Sequence, residues 1–389
     1  MRIVFVTVVV VVVVVCGVAA GDVDDNDVHS SAREPRTGGI IKSMLPYFNL
    51  KIKNPFECRP GTRINGYPVL GTCMSQYDCT ALRGRIDGTC ASGYGSCCIL
   101  EAGCGDTVER NRTYIINNGT TSGTCTYTIA PMKIDYKVKN SVSEAVGACQ
   151  VRLDFETFSL SQPDQGTTTP NNASVCNIDS FEVTGNTNAF GKICGENQGQ
   201  HIYLPIDSKA GTVATITVVM SGATTTAVNR SWRIRTTYIP CLSNMTAPPG
   251  CLQYFTDASG TVNSFNLLPA SSTTLSQIGN LKYSICFNNQ PNSCGMSFSS
   301  TRFLLTGAPN GAATTGPASS CAEDYIATTV VDRTGVASTT SGSFFCGGAL
   351  TPFTTYAQPT VIFVRTDGQE TSPTDKNYGF ALSYSRAGC

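Results

Sequence analysis

Few side chains in this 389-residue sequence have the types and the spacing that catalysis needs. A Ser-His-Asp site requires a histidine, and the chain has only His29 and His201. His201 lies in GQHIYL, outside any context typical of a serine protease or a zinc protease, so we predict an ordinary strand or loop histidine. We therefore expect the protein not to be an enzyme.

Asp154 and Glu156 in RLDFETF could act as paired carboxylates in acid–base chemistry. Because side chains alternate along a strand, both would share one face with Arg152, and that arrangement favours a solvated charged face. Trp232 alternates with polar residues in another strand-like stretch, which favours packing in the core over ligand contact. No glycine-rich phosphate loop follows a strand and opens a helix.

Cysteine carries the remaining chemistry of the chain. Of the 19 cysteines, Cys16 lies in an N-terminal apolar run, and an even 18 are spread over the rest. This distribution is typical of a disulfide framework formed in an oxidising compartment. Zinc ligation is disfavoured because the chain has two histidines and no Cys-x-x-Cys pair. We expect all 18 to be bonded, with no cofactor.

The first 20 residues have the pattern of a secretory signal peptide, with cleavage after Ala20. The apolar run from Ile3 to Val15 is shorter than the roughly 17–25 residues that a membrane-spanning helix needs. We therefore predict a secreted, extracellular protein with no stable membrane insertion. Residues 21–57 begin with several aspartates and are predicted to form a flexible N-terminal segment.

The charge balance limits the class of partner. The net charge is zero and 14% of the residues are charged, which argues against nucleic acid as a partner.

Candidate N-glycosylation sites follow the N-x-S/T pattern and all precede Cys251: Asn111, Asn118, Asn172, Asn229 and Asn244. We expect glycans on these asparagines and a barer surface after Cys251, which partners should prefer.

Strand-like alternation fills the sequence between the cysteines. Val151, Leu153 and Phe155 alternate with charged residues, and Phe380 with Leu382 repeat the pattern near the C-terminus. A period of two means one buried and one wet face, and glycine, asparagine and serine interrupt the runs. The sequence therefore predicts an all-β fold, a sandwich or barrel of short strands.

The cysteines fall into a small module and two ordered repeats. The first module, residues 58–103, has six cysteines in a segment too short to be stabilised by a core alone. The two repeats cover residues 104–241 and 251–389 and are separated by a linker at 242–250. The interval from Cys149 to Cys176 has the same length as the interval from Cys294 to Cys321. The repeats contain six cysteines each: Cys104, Cys125, Cys149, Cys176, Cys194 and Cys241, then Cys251, Cys286, Cys294, Cys321, Cys346 and Cys389.

The first module resembles the clip domain of secreted invertebrate proteins in its cysteine order and in its final Cys97-Cys98. Adjacent cysteines cannot easily bond to each other, so these two must have different partners. The resemblance implies the pairs Cys58–Cys97, Cys73–Cys90 and Cys79–Cys98. Clip domains usually precede a trypsin-like protease domain, and none follows here.

Both repeats resemble the CUB domain. The motifs are Cys104-Gly-Asp, CTYTIAP, RLDFETF, Cys176-x-x-Asp179 and Cys194-Gly195 in the first repeat, and CAEDY, FCG and YGFALSY in the second. The resemblance implies two tandem jelly-roll β-sandwiches, in a chain similar to secreted invertebrate CUB proteins. It also implies extracellular proteins or glycans as partners; the sequence does not indicate the oligomeric state.

Disulfides within the repeats can be argued from the repeat itself. Cys286 and Cys294 flank FNNQPNS, a hairpin-like stretch, and are expected to bond. The remaining expected pairs follow from matching the repeats and from terminal jelly-roll strands lying side by side: Cys125–Cys149, Cys176–Cys194, Cys321–Cys346, Cys104–Cys241 and Cys251–Cys389. The usual CUB pattern instead bonds the first two cysteines and leaves Cys149 with Cys241.

Calcium binding is a further property that the resemblance implies. Many CUB domains use a glutamate before the Cys-x-x-Asp cysteine, the aspartate of that motif and a later aspartate. The first repeat keeps only Asp179, whereas the second keeps Asp324 and Asp367, with Glu323 next to the former. We expect weak calcium binding at most, in the second repeat, because the aspartates could equally bind loop backbone.

Together these features predict a secreted, non-catalytic binding protein. Two alternatives remain open at this point: a structural component of extracellular matrix or cuticle, and a non-catalytic regulator of an extracellular protease cascade.

Overall fold

The fold was analysed in a computed structural model. It describes residues 56–389 except 65, 118, 133–147, 165–173, 186–188, 207–213, 223–228, 242, 273–275, 289–292, 306–312, 317–320, 322, 338–342 and 369–376. The predicted signal peptide, most of the N-terminal segment and the sequons at Asn118 and Asn172 lie outside the described residues. Within the described part, no helix is long and apolar enough to cross a membrane.

The first module is a small sheet with one short helix. Its elements are β1 (Glu57–Cys58), β2 (Arg63–Ile64), β3 (Tyr67–Pro68), β4 (Gly71–Met74), α1 (Gln76–Ala81), β5 (Arg85–Cys90), a 3-10 turn (Ala91–Gly93) and β6 (Gly95–Ala102). Ser75 caps α1, because its hydroxyl accepts the backbone N–H of Asp78. Glu57, at the end of the predicted flexible segment, lies in β1 and pairs with Thr72.

Three disulfide bonds crosslink this module: Cys58–Cys97, Cys73–Cys90 and Cys79–Cys98. This is the pairing that the clip resemblance implies. Cys97 and Cys98 are consecutive in β6, so their side chains point to opposite faces of the sheet. Cys97 packs with Cys58 and Cys73 on one side, while Cys98 packs with Cys79 and Leu100 on the other.

The first repeat is a sandwich of two four-stranded sheets. Its strands are β7 (Thr107–Val108), β8 (Thr113–Ile116), β9 (Gly123–Ile129), β10 (Ala148–Ser159), β11 (Asp179–Gly185), β12 (His201–Pro205), β13 (Ala214–Met220) and β14 (Ser231–Pro240). One sheet has the order β8-β14-β10-β12 and the other β11-β13-β9-β7. Val151, Leu153 and Phe155 point into the core as predicted, and Trp232 is buried there as well, donating its ring N–H to Tyr127.

The sheet of the first module continues into the first repeat. Strand β6 runs parallel to β8, with Leu100 opposite Thr113 and Ala102 opposite Ile115. Strands β1, β4, β6, β8, β14, β10 and β12 therefore form one sheet, with β5 on the side of β6. The module predicted as a separate unit is bonded to its neighbour through backbone hydrogen bonds.

The second repeat is again a two-sheet sandwich. Its strands are β15 (Gln253–Phe255), β16 (Ser259–Asn263), β17 (Lys282–Phe287), β18 (Gly295–Leu304), β19 (Ala313–Gly316), β20 (Tyr325–Ala327), β21 (Phe344–Gly347), β22 (Phe353–Thr355), β23 (Thr360–Arg365) and β24 (Gly379–Ala387). The sheets have the orders β15-β17-β23-β20-β21-β19 and β16-β24-β18-β22. The prediction of an all-β chain with jelly-roll sandwiches is confirmed.

Four of the disulfides expected in the repeats are wrong. The structure bonds Cys104–Cys125, Cys149–Cys241, Cys251–Cys286 and Cys294–Cys389, in place of Cys104–Cys241, Cys125–Cys149, Cys251–Cys389 and Cys286–Cys294. This is the usual CUB pattern that remained as the alternative. Cys176–Cys194 and Cys321–Cys346 have the expected partners.

The physical reason is that consecutive strands change sheet. Cys286 is in β17 and Cys294 precedes β18, and these strands belong to opposite layers, so no hairpin joins them. Cys286 lies next to β15, where Tyr254 is its strand partner, which places it near Cys251. Cys294 instead precedes Gly295, the strand partner of Ala387, near the C-terminal Cys389.

Peptide mapping under non-reducing conditions will distinguish the two pairings. We expect linked peptides for Cys251–Cys286 and Cys294–Cys389 and no free thiol among the 18 bonded cysteines.

Replacing both cysteines of Cys294–Cys389, which are 95 residues apart, should cost about 4–5 kcal/mol of unfolding free energy in the chain-entropy model. The matched control is Cys104–Cys125, 21 residues apart, which should cost about 3 kcal/mol. A Cys286–Cys294 link would contradict the fold of the second repeat.

Candidate functional site

Asp179, the aspartate of the first Cys-x-x-Asp motif, forms a buried ion pair with Arg230. Arg230 donates Nε to Oδ2 at 2.8 Å and Nη2 to Oδ1 at 2.9 Å. The backbone N–H and the hydroxyl of Ser161 also donate to Oδ2, and the backbone N–H of Ser221 donates to Oδ1. The Asp179 side chain is fully buried and the Arg230 side chain is 8% exposed.

The electrostatics of this pair keep the carboxylate ionised. Burial raises the pKa of Asp179, but the hydrogen bonds from Arg230 and Ser161 outweigh it, so the pKa lies below its ordinary value. The positive charge that a metal would supply is already present as Arg230. These residues do not fit calcium, whose sites are built from oxygen ligands and not from N–H donors.

Asp324 in the second repeat is fully buried and hydrogen-bonded in a different way. One oxygen accepts the side-chain amide of Gln277, and the other accepts the backbone N–H of Asp367 at 2.7 Å. The structure thus brings Asp324 and Asp367 together, but through the backbone of Asp367. Glu323 is exposed.

Among the described residues, no group of three or more histidine, cysteine, aspartate or glutamate side chains is placed to hold a metal ion. Around Asp324 the side-chain amide of Gln277 and the backbone N–H of Asp367 donate to the carboxylate. Weak calcium binding there remains a prediction.

The prediction that Asp154 and Glu156 lie on a solvated face is wrong for Glu156, which is 4% exposed.

A row of charged side chains, called the charged row below, crosses the outer face of β6, β14 and β10: Glu101, Arg233, Glu156, Arg235, Asp154 and Arg152. Its signs alternate, and neighbouring charges lie 2.8–3.6 Å apart. Arg233 also stacks on the ring of Tyr114, 3.7 Å from its centroid. Burial raises the pKa of Glu156 against the opposing effect of Arg235.

His201 lies where the charged row meets the second repeat. It is buried in β12, and its Nε2 is 3.2 Å from the backbone N and 3.1 Å from the backbone O of Tyr254, so either neutral tautomer has a partner. The rings of Tyr203 and Phe255 pack edge-on against the imidazole. Burial, reinforced by Arg152 and opposed by Asp154, lowers the pKa of His201 to about 4.

The junction between the repeats continues in a hydrogen-bonded and apolar interface. Asn266 of the second repeat accepts the backbone N–H of Glu196 and donates to the side chain of Gln162. Gly195, from the Cys194-Gly195 motif, has a positive φ of 73°, and a Cβ there would collide with the Asn266 side chain. One hydrophobic cluster includes buried residues of both repeats.

The residues predicted to be linker also take part in this junction. Ala247 is buried, and both its backbone N–H and its carbonyl bond to the side chain of Gln150 in β10, each at 2.8 Å. The sequons that the structure describes are outside the buried junction: Asn229 and Asn244 are exposed and Asn111 is half-buried.

Sequence reasoning missed the partners of the candidate residues. Arg230 ends the stretch VVMSGATTTAVNR, which has no aspartate to serve as the later calcium ligand, and a basic residue there signals an ion pair instead. Gln277 and Asn266 have no such local signal, because their partners are 47 and 70 residues away.

The Asp179–Arg230 pair gives a stability prediction. Asp179→Asn or Arg230→Met should each cost about 3–5 kcal/mol of unfolding free energy, because one buried partner then loses its counter-charge. Glu182→Gln is the matched control, since Glu182 pairs at 3.9 Å with Lys192 on the surface and should cost about 0–1 kcal/mol. Urea denaturation measures both, and a loss below about 1 kcal/mol for Asp179→Asn would contradict the assignment.

His201 gives a pH prediction. The unfolded chain protonates this imidazole below about 6.5, whereas the folded protein does so only below about 4. Unfolding therefore takes up a proton between these values, so the contribution of His201 to stability is complete above about pH 6.5 and lost as the pH falls towards 4, by about 3 kcal/mol. His201→Gln should flatten the pH dependence of the unfolding free energy in this window. Equal slopes for wild type and His201→Gln would overturn the assignment.

Comparison with known proteins adds a family for part of the chain. The family model of the animal CUB domain matches residues 248–387. No curated protein matches the chain.

Several solved structures are similar to the chain at low identity. The CUB1-EGF-CUB2 domains of rat MASP-1 are 15% identical over 72% of this chain and 99% of that one, with a TM-score of 0.23. The CUB1-EGF-CUB2 domain of human MASP-1/3 is 14% identical over 70% and 98%, with a TM-score of 0.24. The full extracellular region of zebrafish Gpr126/Adgrg6 is 12% identical over 73% and 36%, with a TM-score of 0.23. The family match places an animal CUB domain, generally an extracellular protein-interaction module, at residues 248–387.

Proposed function

We propose that this chain is a secreted, non-catalytic binding protein whose two CUB-like repeats present surfaces to extracellular proteins or glycans. The observation that carries the proposal is the match of the second repeat to the animal CUB domain. The first repeat shares its cysteine order and its two-sheet architecture, which supports a second CUB-like unit. Nine disulfides bond the described cysteines, which suits an oxidising compartment.

The state of the polar side chains supports binding over catalysis. His201 and Asp179, the residues with the best claim to chemistry, bond to backbone and side-chain groups in buried positions. A general base needs contact with a substrate proton, and both residues are buried. The described carboxylates of the charged row are likewise used in ion pairs.

The junction suggests how the binding surfaces are presented. Asn266 accepts a hydrogen bond from Glu196, Tyr254 donates one to His201, and a shared apolar cluster adds to the contact between the repeats. A rigid pair of repeats loses less conformational entropy on binding than two freely linked ones. No sequon follows Cys251, so we propose that partners prefer the second repeat.

The test uses the full chain, expressed through the secretory pathway with a C-terminal affinity tag. We expect it in the medium, starting at Gly21, with glycan confined to residues before Cys251. Immobilised chain should enrich a defined set of extracellular proteins or glycans, identified by mass spectrometry. Chain that has been reduced and alkylated is the matched control, because it keeps the sequence and loses the fold.

The outcomes separate the candidate roles. Retention of the chain inside cells, or equal enrichment by native and alkylated chain, would overturn the proposal. Incorporation into an insoluble matrix would favour the structural role instead, and enrichment of proteases would identify a regulator.

A further inference from the structure

The outer face of the second repeat's six-stranded sheet carries two cations side by side. Lys282 in β17 is directly opposite Arg365 in β23, and Arg365 is opposite Tyr325 in β20. Both cations are exposed, whereas their neighbours Tyr283 and Val364 point into the core. Like charges directly opposite each other on a sheet are destabilising, so this pairing has a cost that packing does not explain.

Neither cation is neutralised within the described residues. Lys282 and Arg365 form no ion pair there, in contrast to the charged row of the first repeat, in which every arginine has a carboxylate. Each instead lies over an aromatic ring, Lys282 at 6.0 Å from the centroid of Phe363 and Arg365 at 5.9 Å from that of Tyr325. The rings hold the cations on the surface and leave their hydrogen-bond donors towards solvent.

An aromatic row runs next to the cations on the same face. Phe363 in β23 and Phe344 in β21 are both half-buried, and Ala327 lies between them in register. The ring of Phe344 packs edge-on against Tyr325 at 5.0 Å. The cationic face, defined as Lys282, Arg365, Tyr325, Phe363 and Phe344, therefore combines two exposed positive charges with half-buried aromatic rings.

The cationic face opens into a groove between the two repeats. This junction groove has a volume of about 490 Å³ and is lined by Leu252, Lys282, Ser284 and Phe363 of the second repeat and by Phe190 and Tyr203 of the first. It is continuous with the buried interface, since Tyr203 donates its backbone N–H to Leu252 at 2.8 Å. Its lining is mixed: Phe190, Leu252 and Phe363 supply apolar surface, next to Ser284 and the ammonium-bearing Lys282.

We propose that the cationic face and the junction groove together bind an acidic segment of a partner protein. Carboxylates of the segment would pair with Lys282 and Arg365, and an apolar side chain next to them would enter the groove. This inference rests on the proposed binding function and names the chemistry of its partner. Charge complementarity selects an anion, and guanidinium pairs well with carboxylate in two parallel hydrogen bonds.

The apolar component favours a peptide over a sulfated glycan. A linear sulfated glycan presents charge at regular intervals and offers little apolar surface to Phe363, Phe344 or the groove. The face has two cations next to three rings, which matches a short segment that mixes acidic and hydrophobic residues. Such a segment would remove the repulsion between Lys282 and Arg365 while burying aromatic area.

The experiment uses the full chain and a fluorescein-labelled synthetic peptide of alternating Asp/Glu and Leu/Phe residues, with fluorescence anisotropy as the readout. We expect saturable binding that weakens as salt is raised. Lys282→Gln/Arg365→Gln should weaken it tenfold or more. The control variant Arg59→Gln/Arg63→Gln removes the same charge from exposed positions of the first module and should bind as wild type. The same peptide with Gln and Asn in place of the acids should not bind.

Several results would overturn the inference. These are no saturable binding of the acidic peptide, unchanged binding in Lys282→Gln/Arg365→Gln, or tighter binding of a heparin oligosaccharide than of the peptide with the same dependence on both cations. Folding is checked separately, because removing two repelling charges should leave the melting temperature equal or higher. If the double variant enriches the same partners from extracellular fluid as wild type, the face is wrong and the proposed function stands; if wild type enriches none, the proposed function itself fails.

Discussion

The ion pairs of the charged row are the interaction on which the arrangement of the described chain depends. Three arginines and three carboxylates neutralise one another across β6, β14 and β10, and they do so on the face of the sheet that points away from the sandwich core. That face can be covered only because its charges cancel, since an unpaired buried charge costs several kcal/mol. At one end Glu101 belongs to the first module, and at the other Arg152 bonds to the hydroxyl of Tyr203, whose ring packs against Tyr254 of the second repeat.

This partly buried row of ion pairs contributes more to geometry than to net stability. Taking these side chains out of water costs about as much as their attraction returns, so a well-packed apolar face could be equally stable. The alternating charges help to fix the register in which the neighbouring strands pair. Arg233 lies between Glu101 and Glu156, and Arg235 lies between Glu156 and Asp154, so a shift of one residue along any of these strands would break the alternation. We infer that the row fixes how the first module joins the first repeat.

The alternation of residues predicts which side chains of a strand point into the core. It does not predict which of the two sheets each strand joins or what covers the outer face of a sheet. The alternation in β10 correctly places Val151, Leu153 and Phe155 in the core. It also assigns Glu156 to the opposite face, but period alone cannot say whether another part of the chain covers that face. The same limit explains the disulfides. Cys176–Cys194 closes within one motif and is predicted, whereas Cys286 and Cys294 are close in sequence and lie in different sheets.

The surroundings of the calcium candidates could not be predicted for a related reason, because a motif identifies the carboxylate and not the groups that bind it. Asp179 and Asp324 occupy equivalent places in the two repeats, yet one is paired with a guanidinium and the other with an amide and a backbone N–H. Both solutions satisfy a buried carboxylate from within the chain. Lys282 and Arg365 are the contrast, since these two exposed cations oppose each other and have no carboxylate partner in the described structure. An acidic group from outside the chain would remove the repulsion between these two cations and so improve the electrostatics there.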